Sequence, residues 1–341
     1  MAQITLHDLA KKLNISVSTV SKALKDYPDV SEKTKKKVLA LADKLNFSPN
    51  IVASNLRTQN TKTIGVIIPN IVHDFFSKVI GGIIDEAEKN GYIVILLQSN
   101  ENYELEKKQL NLLIQQQVDG ILLSLTVETK KFKHIKRIQQ QGIPLVMFDK
   151  VTDSIECSKV VIGDKKSAFD AVSFLIRKGN KRIAFFGGSM VALNFNQRFN
   201  GYLEALKEYR VPFDDRLVYM CNKNKEYADG YSAAERLIED HGVNGVDAVF
   251  AATDVIAVGI IKYFNDNKIN IPKDIAIFGF GNSFMSSIVS PALSTVDQPG
   301  YEMGINAVDI LLTEISHKNK NENISLRNII IPTSLKIRHS T

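Results

Sequence analysis

Cysteine is scarce in this 341-residue chain, with only Cys157 and Cys221, far apart and without metal-ligand spacing. Two such residues make no disulfide framework and point to reduced thiols in an intracellular protein. Histidine is also sparse: the six stand singly, with no His-x-x-x-His pair, and no Ser/His/Asp grouping suggests a catalytic centre. No apolar run approaches the roughly 20 residues needed to cross a bilayer. The opening MAQITLHDLAKK lacks the apolar core of a secretory signal. Phosphate-binding loops are missing too, since Gly187-Gly188 follows an apolar run but has no Gly-x-Gly-x-x-Gly around it. These absences predict a cytoplasmic protein that is not an enzyme, holds no metal or other cofactor and does not meet a membrane.

What the chain does have is unevenly placed charge. Its net charge is +6, yet residues 1–62 hold eleven Lys/Arg against five Asp/Glu, which leaves 32 of each for the other 279 residues. A basic head on a neutral body is the asymmetry expected when one end meets a polyanion.

The head reads as three short helices. Thr5 precedes Leu6, Leu9, Ala10 and Leu13 at helical spacing, with Asp8 three residues on, so Thr5 is the expected N-cap. Asn14 suits the left-handed turn that ends this helix. Ser16 caps a second helix with Val20, Ala23 and Leu24 inward and Val17, Ser18, Thr19, Ser21 and Lys22 outward. A third helix starts at Ser31, with Thr34 at its third position, carries Val38, Leu39, Ala42 and Leu45 inward, and ends near Asn46. Two helices joined by a tight turn, with short polar side chains and one cation on the outer face of the second, suit close approach to a duplex.

From Thr63 onward, apolar runs alternate with helical stretches. Ile64–Ile68, Ile93–Leu97, Gly120–Leu123, Leu145–Phe148, Val160–Ile162, Arg182–Phe186, Ala248–Phe250 and Ile275–Phe278 read as strands. Phe76–Asn90, Glu104–Gln117, Lys165–Lys178, Arg198–Tyr209, Tyr231–His241 and Val255–Asn267 read as helices. Continuously apolar strands separated by helices indicate parallel sheets covered on both faces. Two such series in succession suggest two similar lobes. Open α/β sheets bind ligands beyond the carboxyl ends of their strands, where Asn70, Gln98, Ser124, Asp149, Thr253 and Asp254 fall. His73, Asp74 and Phe75 would add a stacking face and hydrogen bonds, and Arg198 a clamp for a hydroxyl pair or carboxylate. Asp254 has the plainer alternative of capping the helix that begins at Val255.

The segments ITLHDLAKKLNISVSTVSKAL, VSEKTKKKVLALADKLNFSPN, ASNLRT, TIGVIIP, VDGILLS, FDK, GNKRIAFFGG, PALSTVDQP and LKIRHS are dense and span nearly the whole chain. Together they resemble the lactose-repressor/galactose-repressor (LacI/GalR) family of bacterial transcription regulators. The resemblance implies an all-α helix-turn-helix head (1–49), a hinge helix and linker (50–60), and an α/β two-lobed, periplasmic-binding-protein-like domain (61–341). Its lobes would cover 61–162 with 292–323, and 163–291 with 324–341. Val17, Ser18 and Lys22 then match the major-groove readers, with Lys22 where Arg is usual. Thr5, Ser16, Thr19, Ser21, Ser31, Thr34 and Asn50 match positions that touch phosphates. Ala53 and Leu56 belong to the DNA-contacting hinge, Leu56 as a minor-groove wedge that folds only on DNA. Asn70, Phe75, Asp149, Arg198 and Thr253 match effector positions, to which His73 and Ser124 add. Thr253 stands where Asn is common, and Gly281 where an Asp usually binds ligand hydroxyls or ring nitrogens.

The resemblance therefore implies a homodimeric regulator, most often a repressor, that binds double-stranded operator DNA and answers to a small sugar-like effector. A sugar acid or phosphosugar held by Arg198 is one such effector. No heptad tail follows Thr341, which favours a dimer over a tetramer. The rival reading is a solute-binding protein for sugar transport, which would share the two lobes. The basic head and the missing signal segment argue against it.

Overall fold

The computed structural model describes residues 4–45, 47, 60–188, 193–221 and 226–341. It divides into two compact units, 1–61 and 62–341.

In the head, α1 (Leu6–Leu13), α2 (Val17–Leu24) and α3 (Glu32–Lys44) enclose a small core of Leu9, Ala10, Val20, Ala23, Val30, Val38 and Ala42. Thr5 and Asp8 form a reciprocal capping box, and Asn14 ends α1 at φ 52°, ψ 45°. Ser16 and Ser31 cap α2 and α3 by accepting the N–H of Thr19 and Thr34. One expectation fails: Leu39 does not point inward but is 47% exposed. The inward stripe of α3 runs through positions 35, 38 and 42, so Lys35 takes the place at its edge. Its ammonium is returned to Asp26 (2.6 Å) and Glu32 (2.9 Å), which is how a buried lysine stem is tolerated.

The body opens with β1 (Thr63–Ile68), α4 (Asp74–Lys89), β2 (Ile93–Gln98), α5 (Tyr103–Gln115) and β3 (Gly120–Leu123). It continues through α6 (Lys133–Gln140), β4 (Leu145–Phe148), β5 (Ser158–Ile162) and α7 (Asp164–Arg177). Then come β6 (Ile183–Gly187), α8 (Leu193–Glu208), β7 (Val218–Met220), α9 (Glu226–His241) and β8 (Ala248–Ala251). Next are α10 (Asp254–Asp266), β9 (Ala276–Gly281), α11 (Phe284–Ile288) and β10 (Ser294–Asp297). The chain closes with α12 (Gly300–Asn319), β11 (Asn328–Ile331) and β12 (Ser334–Lys336).

Two six-stranded sheets result, ordered β11-β5-β4-β3-β1-β2 and β12-β10-β9-β8-β6-β7. All recorded pairings are parallel except that of β12 with β10. The central strands are buried on both faces, as Ile64, Val66, Ile67 and Ile68 are without exposure, which matches their unbroken apolar sequence. The chain passes between the sheets after Ile162, after Asp297 and after Ile331. The last two passages come later than the expected boundaries at 291 and 324. Ser294–Asp297 pairs beside β9 and so remains with lobe two, and Asn328–Ile331 pairs beside β5 and so remains with lobe one.

Helix α12 packs along α4 through two glycines. A Cβ on Gly82 would stand 2.1 Å from the Tyr301 carbonyl oxygen, and one on Gly304 would stand 2.2 Å from that of Val79. Only residues without a Cβ let backbones meet so closely. Lys78, one turn from this crossing, donates from Nζ to the Asn282 carbonyl at 2.9 Å, a bond from lobe one to lobe two. Both cysteines are free and buried, and burial pushes their thiols up to about 11 at Cys157 and about 12 at Cys221.

Candidate functional site

The second helix of the head presents Ser18 and Lys22, four residues apart, to solvent. Their spacing puts both on one face. Lys22 pairs with the equally exposed Asp29, and that bond holds the Asp29 carboxyl below its ordinary value. An exposed pair of this kind is weak and exchanges readily for a phosphate or guanine edge. Ser16 Oγ lies 2.7 Å from Ser18 Oγ and 2.8 Å from Thr19 Oγ1, so the start of α2 is a small hydroxyl cluster. Ser31 and Thr34 form a similar pair at 2.9 Å. Thr5 Oγ1 donates to Asp8 at 2.7 Å. Val17 and Ser21 are less open than expected: Val17 packs against the head core, and Ser21 is half-buried. Asn50, Ala53 and Leu56 lie outside the described residues.

In the body, Asn70, His73, Phe75, Asp149, Arg198 and Thr253 line one cavity of about 190 Å³. Its walls come from the carboxyl ends of β1, β4 and β8 and from the starts of α4 and α8. The location follows from the order of each sheet. Sequence-adjacent strands depart in opposite directions on either side of β1 and of β6, opening a crevice beyond their ends. A larger cavity of about 500 Å³ adjoins it along the passage at 162–166 and shares Asp149 and Asn194.

Electrostatics differentiate these residues. Asp149 sits in the left-handed region at φ 57°, a conformation Asp tolerates better than most residues. Burial raises its carboxyl to about 6, against the pull of Lys150. His73 is driven the other way, to about 4, by burial and then by the nearby cations Lys150 and Arg198. Its imidazole is therefore neutral at physiological pH, with Nδ1 buried and unpartnered. Arg198, 3% exposed, donates from Nε to Asp164 (2.8 Å) and from Nη1 to the Ala252 carbonyl (2.6 Å). Its guanidinium also lies 3.7 Å from the Phe280 ring centroid. It is tied into the wall rather than presented as a free clamp.

Thr253 caps α10 by accepting the Ile256 N–H, and donates to Glu226 at 2.8 Å. Asp254 is thus not that helix's cap; it accepts from Thr295 Oγ1 and the Ser283 N–H, each at 2.6 Å. Two of the effector positions implied by the resemblance stand apart from the cavity. Ser124 is fully buried with Oγ unpartnered and is not among the lining residues, because β3 ends deeper than its neighbours. Gly281 has φ 137°, a Cβ on it would stand 3.6 Å from side-chain oxygens of Asp254 and Gln298, and it is Gln298 that reaches the cavity. Gln98 is spent on the Ile71 N–H.

The lining residues that the sequence did not single out include Asn100, Glu101, Lys150, Asn194, Glu226, Phe280 and Gln298. Three of them follow a strand end by one more residue or two, since Asn100 and Glu101 come after β2 and Lys150 after Asp149. Glu101 accepts from Lys150 and from the Val127 N–H. Below it, buried Glu106 accepts from the Thr126 N–H and Thr129 hydroxyl, with His134 Nε2 at 2.8 Å, and so fixes the loop after β3.

Comparison with known proteins gives this geometry its setting. Residues 5–50 match the family described as bacterial regulatory proteins, lacI family, and residues 61–339 the family described as periplasmic binding proteins and sugar binding domain of LacI family. Catabolite control protein A of Priestia megaterium is 34% identical over 339 residues, 99% of each chain. A LacI family transcriptional regulator from Enterococcus faecium, solved with bound ribose, is 26% identical with a TM-score of 0.70, covering 82% of this chain and 98% of its own. The lac repressor dimer bound to operator and an anti-inducer superposes with a TM-score of 0.86 over 99% of both chains, at 22% identity. That last likeness concerns the fold. Among the described residues no helix is long and apolar enough to cross a membrane. A capped helix-turn-helix head matched over 5–50 and a two-lobed body matched over 61–339 place the chain in the LacI family of bacterial regulatory proteins, as a DNA-binding transcription regulator.

Proposed function

We propose that the protein is a homodimeric repressor that binds a near-palindromic operator through its heads and releases or engages it according to a sugar-like effector in the interlobe cavity. The observation that carries this reading is the union in one chain of a basic segment, residues 1–62, that presents an exposed Ser18/Lys22 face, with a polar cavity walled by two lobes. In solved relatives the two halves have such partners: operator for the lac repressor dimer, ribose for the Enterococcus faecium regulator. Val17, Ser18 and Lys22 choose bases, while Thr5, Ser16, Thr19, Ser21, Ser31, Thr34 and Asn50 hold phosphates. Ala53 and Leu56 enter the minor groove. Phosphate contacts set register and base contacts set sequence. The effector residues are Asn70, His73, Phe75, Asp149, Arg198 and Thr253. Such a protein works beside the chromosome in the cytoplasm, by binding and not by catalysis.

Gel-shift titration against DNA from upstream of its own gene tests this. We expect affinity that exceeds competitor DNA and falls with salt at a log–log slope of about −0.9 per phosphate contacted. Lys22→Ala should cost about 1–3 kcal/mol on the preferred site and flatten its preference. A protein that treats all duplexes alike at moderate salt is not this regulator.

A further inference from the structure

Among the described residues the cavity is richer in negative than in available positive charge, which narrows its effector. Of these, three carboxylates line it, Glu101, Asp149 and Glu226, with two cations, Lys150 and Arg198. Both cations are already committed, Lys150 to Glu101 and Arg198 to Asp164 and a carbonyl oxygen. Asp149 and Glu226 have no ion pair among the described residues; the sole bond to Glu226 is the hydroxyl of Thr253. Burial raises the carboxyls of both. They belong to different lobes, Asp149 to the end of β4 and Glu226 to the start of α9.

Resting on the reading of this cavity as the effector site, we propose that the effector is a polyhydroxylated amine, an amino sugar or close analogue, with its ammonium group between Asp149 and Glu226. A cation is the partner that two desolvated carboxylates lack. An anionic sugar acid or phosphosugar would add a third charge of the same sign, and Arg198 already spends its charge on Asp164 and the Ala252 carbonyl. The remaining lining suits hydroxyls: Asn70, Asn100, Asn194 and Gln298 donate and accept, and His73 Nδ1 is unpartnered in the wall. A ligand cation shared by carboxylates on both lobes also binds best when the lobes approach, so it has the differential affinity that a conformational signal requires.

The test uses the full chain in thermal-shift and calorimetric titrations with glucose, galactose and mannose, their 2-amino-2-deoxy forms, and their 6-phosphates. At least one amine should bind about tenfold more tightly than its parent sugar, the gain of a charge-assisted over a neutral hydrogen bond. Glu226→Gln and, separately, Asp149→Asn should reduce that preference severalfold. Equal or tighter binding of the neutral sugars or the phosphates overturns the amine and leaves the cavity an effector site. Failure of every amine to bind also overturns it. The regulator reading falls on a different result, the absence of preferential DNA binding by the same preparation.

Discussion

Asp149 and Arg198 show how one residue's environment changes what it does. The carboxyl of Asp149 titrates near 6 rather than its ordinary 3.8 because burial disfavours its charge. The folded protein therefore binds this proton more tightly than the unfolded chain, so the penalty is absent below 3.8, grows between 3.8 and about 6, and is complete above. Asp149→Asn should accordingly stabilise the protein above pH 6, by about 1 kcal/mol for so partly shielded a group. Melting curves across pH 4–8 should show the gain fading toward acid. Effector response should weaken in the parent protein as pH falls through 6, with His73 contributing nothing because it is neutral down to about 4. At Arg198 the role begins with structure. Arg198→Ala leaves Asp164 buried and unpaired, which should cost about 3–5 kcal/mol, read as a lowered urea midpoint of the body. Loss of effector binding in that variant reports a collapsed wall before it reports a missing ligand contact. The sequence suggested a clamp because Arg198 opens a helical stretch after a Gly/Asn loop. Nothing in it showed that Asp164, 34 residues earlier, would occupy the guanidinium.

The elements were legible where local chemistry decided them. Thr5, Asn14, Ser16 and Ser31 all take the expected capping positions, because a cap needs only the three or four residues beside it, after an N-cap and before a C-cap. The long apolar strands were legible for the same reason. Three-residue β7 and β12 were not, being too short for any period to show. Strands β10 and β11 escaped because their place is set by distant partners: β9 and β5 select Ser294–Asp297 and Asn328–Ile331 out of ordinary polar surroundings. Leu39 was misjudged because it neighbours Val38, and only one of two adjacent helical residues can lie on a narrow inner stripe. Helix α12 depends on its glycine contacts with α4. Gly304→Ala would press a methyl into the Val79 carbonyl, where the neighbour is backbone and cannot rotate away. It should cost about 1–3 kcal/mol, visible as a lower melting temperature of the body with the head's helical signal retained.

At the scale of the molecule, the two lobes share one cavity and three chain passages, and the Lys78–Asn282 bond crosses between them. Lys78→Ala should remove about 1 kcal/mol from the arrangement in which both lobes face the cavity. Hydrogen exchange should then quicken at the amides of Gln298 and Thr333, and unchanged exchange there would show that the bond does not help position the lobes. Two similar lobes were legible from the repeated strand–helix series, whereas where the chain changes lobe was not, since that is fixed by the pairing of late strands. This interleaving also governs how the protein emerges from the ribosome. Lobe one receives α12 and its edge strand β11 only after the strands β6 to β10 of lobe two have been made. At bacterial synthesis rates, roughly 10–30 s separate Ile162 from Ile331. Throughout that interval the nascent chain carries an unpaired β5 edge and an uncovered apolar face on α4. The period of greatest need for chaperone shelter thus falls midway through translation, while lobe two is being built.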